Sequence, residues 1–317
     1  MLDRMLKNVK SIAIGGHVRP DGDCVGSTLA LYTYLKEWYQ DVEVDLYLEP
    51  YPDSFRFLKY ADEIKHESIE KDYDLFITLD CGDISRLGFS EPLFESAKET
   101  WCIDHHISNQ AFADENEIKP DASSTCEILY LLLEEEKITK EIAECLYLGI
   151  VHDTGAFQYS CTAPETMEIA AKLMRKGVNA SKIIDETFFK RTYTQLQLLG
   201  LALLESITFM DGKCIATAIT RKDLRFFEAQ NKDLEGIVSE LRLTKGVEVA
   251  IFMYETENFG FKVSLRSNDL VDVSKVAQYF GGGGHVKAAG CAMNGTFHDV
   301  LNNLSAQIEL QLKEKGE

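Results

Sequence analysis

The sequence predicts an α/β protein, with an N-terminal parallel sheet covered by helices on both faces and a smaller C-terminal α+β unit. Two observations carry that expectation. In the first half, short apolar runs alternate with amphipathic helical patterns, the signature of parallel strands joined by crossover helices. After about Asp211 the texture changes to strand-like alternation with shorter helical stretches between. The charge changes at the same place. Residues 1–210 hold 20 Lys and Arg against 37 Asp and Glu, whereas residues 211–317 hold 13 against 15.

The elements follow in order. Strands are expected at SIAIGGH (11–17), VEVDLYL (42–48), LFITLDC (75–81) and TWCIDHH (100–106), with a helix at STLALYTYLKEWYQ (27–40). Ser124-Thr125-Cys126-Glu127 has the form of a capping box ahead of the apolar run ILYLLLEEEK. A further helix, EIAECLYLGIVHD, leads into a loop at Asp153. Beyond it, KCIATAIT (213–220), VEVAIFMYE (247–255) and FKVSLRS (261–267) alternate as strands, with a helix at DLEGIVSELRL. Asp211-Gly212 reads as a hairpin turn. The expected domains are 1–195 and 211–317, joined through 196–210.

A length of 317 residues with 45% hydrophobic and 27% charged residues suits a globular protein with a sizeable core. No run near ~18 apolar residues predicts a membrane span, and the N-terminus lacks the pattern of a secretory signal. The eight cysteines are scattered singly, which favours reduced thiols and a cytoplasmic location. A net charge of −19 argues against a broad basic surface of the kind that retains long nucleic acid.

Four segments concentrate acidic and imidazole side chains. GHVRPDGDCVGS places His17, Asp21 and Asp23 directly after the first strand. ITLDCGD ends a strand with Asp80, CIDHH ends another with Asp104, His105 and His106, and VHDTGAFQYS carries Asp153 after a helix. Each segment alone has a plain structural explanation: a turn, a helix cap, a surface histidine pair. Together they differ, because strand C-termini of an open parallel sheet converge on one crevice. Carboxylates crowded there repel one another unless cations sit among them. Imidazole and carboxylate donors suit Mn²⁺, and also Fe, Zn or Mg²⁺. Two such ions bridged by one carboxylate would activate a water for attack on phosphorus. His152, His66 and His298 are read as structural or surface residues.

In these segments the chain resembles the DHH phosphoesterases, the family named for the triplet Asp104-His105-His106. The C-terminal part resembles the family's DHHA1 domain through GGGGHVKAAG (281–290) and the preceding VSLRS (263–267). Among branches it looks most like the small bacterial oligoribonucleases of the NrnA type. The resemblance implies hydrolysis of RNAs of a few nucleotides to mononucleotides, and removal of the 3′-phosphate from phosphoadenosine phosphate (pAp). It implies that His17 and Asp21 hold one divalent ion, that Asp23, His105 and Asp153 hold a second, and that Asp80 bridges them. Two Mn²⁺ are the expected ions. His106 would face the scissile phosphate, and Asp104 would orient the histidines.

The glycine run Gly282, Gly283 and Gly284, ending in His285, lets backbone amides approach an anion closely, and VKAAG after it reads as the start of a helix. Arg266 is the expected bidentate phosphate partner. Tyr159, Phe157 and Phe280 are candidates for base stacking. The expected partners are short RNA, dinucleotides and pAp, with no long nucleic acid and no membrane; the sequence leaves the oligomeric state open, with a homodimer one option. The rival readings are a phosphodiesterase for linear or cyclic dinucleotides and, in another class, a non-catalytic nucleotide-binding regulator. An inorganic pyrophosphatase would carry a basic Ser-Arg-Lys-Lys-Gln segment not found here. A processive single-strand exonuclease would need added nucleic-acid-binding domains.

Overall fold

The computed structural model describes residues 5–69, 71–257 and 260–315, and the chain separates into two compact units, Met1–Lys190 and Arg191–Glu317.

The first unit is built on five parallel strands: β1 (Ser11–Gly15), β2 (Glu43–Tyr47), β3 (Leu75–Leu79), β4 (Glu99–Asp104) and β5 (Glu115–Ile118). The first four fall where the apolar runs predicted them. β5, reading Glu-Asn-Glu-Ile, has no apolar run to announce it because it forms the half-exposed sheet edge. The strand order is β2-β1-β3-β4-β5, so the chain leaves β1 toward one edge and resumes at β3 on its other side. That reversal opens a crevice beyond the C-terminal ends of β1 and β3.

Six helices belong to this unit among the described residues: α1 (Gly22–Trp38), α2 (Glu91–Ser96), α3 (Thr125–Leu132), α4 (Lys140–Asp153), α5 (Pro164–Arg175) and α6 (Ala180–Ile184). Alternation along the strands sends Ile12, Ile14, Ile77 and Leu79 into one core with α1, α3 and α4. Ala13, Tyr47 and Phe76 face a second core with Leu93 and Phe94 of α2. Helices therefore cover both faces.

α1 begins five residues earlier than its apolar pattern suggested. Asp21 is its N-cap and accepts from the backbone N–H groups of Asp23 and Cys24 at 3.1 and 3.2 Å. The Asp-Gly-Asp segment is thus the first turn of a helix. At α3 the capping box is half formed. Ser124 accepts from the Glu127 N–H at 3.1 Å. The Glu127 carboxylate accepts instead from Ser123 Oγ at 2.6 Å and Thr166 Oγ1 at 2.7 Å, tying α3 to the start of α5.

The second unit carries a six-stranded mixed sheet in the order β10-β11-β9-β8-β7-β6. Its strands are β6 (Ile207–Phe209), β7 (Cys214–Ile219), β8 (Val249–Glu255), β9 (Gly260–Ser267), β10 (Gly283–His285) and β11 (Ala288–Asn294). Its helices are α7 (Tyr193–Leu204), α8 (Arg221–Phe226), α9 (Ile237–Arg242), α10 (Val273–Tyr279) and α11 (Phe297–Glu314). One sheet face packs with Val276 of α10 and Leu304 and Ile308 of α11, the other with Leu198 of α7 and Leu241 of α9. The β6–β7 hairpin turns through Met210, Asp211 and Gly212, all at positive φ, as Asp-Gly predicted. VKAAG is not a helix. Val286 and Lys287 form the turn between β10 and β11, because Ala288 to Gly290 pair across β9 and close the sheet.

Candidate metal and phosphate site

The crevice at the switch point collects all four acidic segments. His17 follows β1 and is 4% exposed. Its Nδ1 donates to the Val18 carbonyl at 2.8 Å, which turns Nε2 inward, 3.3 Å from Asp80 Oδ2 and 3.7 Å from Asp21 Oδ1. Asp80, one residue past β3, is 2% exposed and sits in the left-handed region with φ of 55°. Few residue types accept that backbone; Asp does so at modest cost, and such strain concentrates at functional sites. It aims the two carboxylate oxygens in different directions. Oδ2 faces His17, while Oδ1 lies 3.6 Å from His105 Nε2, 3.6 Å from His106 Nδ1 and 3.2 Å from Thr125 Oγ1.

Asp23, in the first turn of α1, is fully buried. Its carboxylate accepts from the Thr125 and Cys126 N–H groups at 2.6 and 2.9 Å, at the N-terminus of α3 where backbone donors favour negative charge. His105 sets its Nε2 3.0 Å from Asp153 Oδ2 and 4.0 Å from Asp23 Oδ2. Asp153 is the last residue of α4 rather than a loop residue. Three groups of ligand-type atoms lie within 4.8 Å of one another: His17, Cys24 and Asp80; Asp80, His105 and His106; Asp23, His105 and Asp153.

The electrostatics show what this costs in protein alone. Burial, with Asp80 and Asp153 adding repulsion, pushes the Asp23 carboxyl well above its usual range. Burial and the charges of Asp80 and Asp21 push Asp153 to about 6, against the pull of His105. Burial alone would lower His17 and His105, yet the surrounding carboxylates outweigh it and raise each to about 10. Carboxylates that repel, and imidazoles that would otherwise have to hold protons, are the donor set divalent cations relieve. The residues fit.

His106 is arranged differently. Its Nδ1 donates to Asp104 Oδ1 at 2.7 Å, and the fully buried Asp104 accepts at Oδ2 from Asn109 Nδ2, also at 2.7 Å. The ring keeps 30% of its surface exposed. Asp104 holds His106 rather than His105, whose Nδ1 lies 3.4 Å from the Ala122 carbonyl. Sequence reading missed Asn109, although it lies three residues beyond the histidine pair. It also passed over Thr125 and Cys24, whose roles depend on contacts across the fold.

His152, read as structural, is so. Burial lowers it to about 4, its Nε2 lies 3.0 Å from Thr187 Oγ1, and Phe55 and Phe188 pack edge-on against its ring. It also explains Gly22. A Cβ there would lie 2.2 Å from the His152 ring, so only glycine lets α1 start between Asp21 and Asp23 with that imidazole above it.

In the second unit, register sets the expected phosphate residues on one face. His285 of β10 pairs with Ala288 of β11, which pairs with Arg266 of β9. Cross-strand partners project on the same side, so Arg266 and His285 flank the small Ala288. Gly283, Gly290 and Ser264 continue the same face one repeat along. Gly282 lies just before the strand, and Gly284, at φ of 142°, would set a Cβ 2.5 Å from the Ala288 carbonyl and Ala289 Cα. Of the aromatic candidates, Phe157 is half-buried against Tyr147, and Phe280 packs on the core. Tyr159 is 51% exposed, with its ring on Gly155 two residues beyond Asp153.

Comparison with known proteins agrees with this geometry. Residues 11–150 match the DHH family, N-terminal domain, and residues 211–314 match the DHHA1 domain. The bifunctional oligoribonuclease and PAP phosphatase NrnA of Thermus thermophilus is 31% identical over 93% of this chain and 88% of its own length. The chain belongs to the DHH family. The protein of the same name from Bacillus subtilis is 26% identical over 99% of this chain and 98% of its own. The crystal structure of an exopolyphosphatase-related protein from Bacteroides fragilis superposes with a TM-score of 0.91 at 26% identity, covering 100% of this chain and 96% of that one. Members of the DHH family are metal-dependent phosphoesterase hydrolases, and this chain is an enzyme of that class with the acidic and histidine groups to hold metal. Among the described residues, no helix is long and apolar enough to cross a membrane.

Proposed function

We propose that the protein hydrolyses RNAs of two to five nucleotides to mononucleotides and removes the 3′-phosphate of pAp, using two divalent ions, Mn²⁺ in the first instance. The observation that carries this is Asp80, whose Oδ2 faces His17 at 3.3 Å while Oδ1 faces His105 at 3.6 Å. One carboxylate aimed at two imidazoles on opposite sides suits a bridge. His17 and Asp21 would hold one ion beside it, and Asp23, His105 and Asp153 the other. When bound, the ions supply an activated water and charge neutralisation at phosphorus.

The chain's own groups do the rest. Asp104 accepts from His106 Nδ1 and raises the imidazole's pKa, so the ring holds a second proton at Nε2 that it can donate to the departing oxygen. In the second unit, Arg266, His285 and the backbone of Gly282 to Gly284 would bind a substrate phosphate, and in the first Tyr159 offers a face for a base. A chain of net charge −19 has little means to retain a long polynucleotide. The relatives named for oligoribonuclease and PAP phosphatase activities support the substrate assignment.

The test is a Mn²⁺-dependent time course on 5′-labelled RNAs of two, five and twenty-four nucleotides, with pAp in parallel. Rapid loss of the two short RNAs and of pAp, with the long strand nearly intact, is expected. Equal turnover of the long strand contradicts the proposal.

A further inference from the structure

A sulfur stands among the imidazole and carboxylate donors around Asp80. Cys24 follows Asp23 in the first turn of α1 and is fully buried. Its Sγ approaches the His17 carbonyl at 3.9 Å and lies so close over Gly16 that a Cβ on that glycine would meet it at 2.4 Å. The sulfur is therefore held at the end of β1, beside His17. There it forms, with His17 and Asp80, a buried group of three donors whose ligand atoms lie within 4.8 Å of one another. Donors around one tetrahedral ion with bonds of about 2.0–2.3 Å lie about 3.5 Å apart, so a closing movement of about 1 Å brings all three into reach.

We propose that Cys24 is a thiolate ligand of the ion held by His17 and Asp80, giving that position a preference for thiophilic ions such as Zn²⁺ or Co²⁺ over Mn²⁺ and Mg²⁺. The inference rests on the two-ion reading above and deepens it at one position. On binding, the S–H bond breaks, the sulfur lone pair goes to the ion and the proton leaves to solvent. Soft sulfur discriminates among divalent ions where carboxylate oxygen does not. The two positions then differ in kind, because Asp23, His105 and Asp153 present only nitrogen and oxygen.

The test is Co²⁺ titration of the full chain, followed by absorption spectroscopy. The native protein should develop a near-ultraviolet sulfur-to-cobalt charge-transfer band beside the visible ligand-field bands. The band should vanish in Cys24→Ala and persist in Cys161→Ser, the control for the exposed thiol that approaches the Asp153 carbonyl at 3.6 Å. Equilibrium dialysis should show Zn²⁺ affinity falling about 10–100-fold in Cys24→Ala, with Mn²⁺ affinity changed less than about threefold. Ligand-field bands without the charge-transfer band in the native protein would overturn the role of Cys24 and leave the metal centre standing. No Co²⁺ uptake would overturn the two-ion reading itself.

Discussion

Replacing Asp104 by Asn probes the proton-donating role of His106 with little change in shape. The carboxylate is fully buried and accepts from His106 Nδ1 and Asn109 Nδ2, each at 2.7 Å. An Asn side chain has one acceptor oxygen for these two donors, so its amide nitrogen must face one N–H group. One charge-assisted hydrogen bond is lost outright and the other becomes neutral, a cost of about 1.5–3 kcal/mol in stability. Catalysis should suffer more, because His106 loses both its orientation and the carboxylate that favours its doubly protonated form. General acid catalysis contributes about 10²–10⁴-fold, and kcat on a dinucleotide should fall within that range while KM changes little. The assay compares pApA with a nitrophenyl ester of a nucleoside monophosphate, a leaving group that needs no proton. The defect should shrink to under about tenfold on the ester. Equal losses on both substrates would refute leaving-group protonation and assign His106 to charge stabilisation alone. Full activity on pApA would refute any role for the pair.

Three further outcomes follow from the structure. Arg266→Ala and His285→Ala should each raise KM for dinucleotides by about 10-fold or more and spare the nitrophenyl ester; equal loss on both would remove the second unit from substrate binding. Gly22→Ala drives a methyl into the His152 ring, and His152→Ala opens a cavity beside it. Each should cost about 2–4 kcal/mol by urea unfolding, with the double variant recovering at least about 1 kcal/mol; strict additivity would contradict the packing described. Asp45 supplies a pH signature. Burial works against its charge, but hydrogen bonds from Lys65, Lys71 and Tyr73 outweigh it and hold the carboxyl at about 2. A depressed pKa stabilises the fold above the ordinary value near 4 and loses that contribution as pH falls toward 2. After allowance for solvent screening, Asp45→Asn should therefore cost about 1–2 kcal/mol at neutral pH and progressively less between pH 4 and pH 2. A difference that stays constant across that range would contradict it.

The sequence exposed most of the first unit because a parallel sheet buried on both faces writes itself as continuous apolar runs. Ser11–Gly15 and Leu75–Leu79 are such runs, each followed directly by the acidic residues of the crevice. The half-exposed edge strand Glu115–Ile118 carries no such signal and was missed. Ala288 to Gly290 went wrong for a related reason. Small residues read as helical in isolation, and only their pairing with β9 and β10 makes them a strand. That His17, Asp80 and Asp153 gather in one crevice was legible from residue type and position at element ends. Residues that act through the fold were not. Thr125 and Cys126 reach Asp23 across about a hundred residues of sequence, and nothing near Asn109 says which carboxylate it will hold.

The central claim is that Asp80 joins two divalent ions into one catalytic centre. Its most direct test is the number of Mn²⁺ bound per chain, measured by equilibrium dialysis on native protein and on Asp80→Ala, with hydrolysis of pApA followed in the same samples. The account predicts two ions in the native protein, no more than one held tightly in the variant, and turnover reduced by at least about 10³-fold. Two tightly bound ions or undiminished turnover in Asp80→Ala would contradict it.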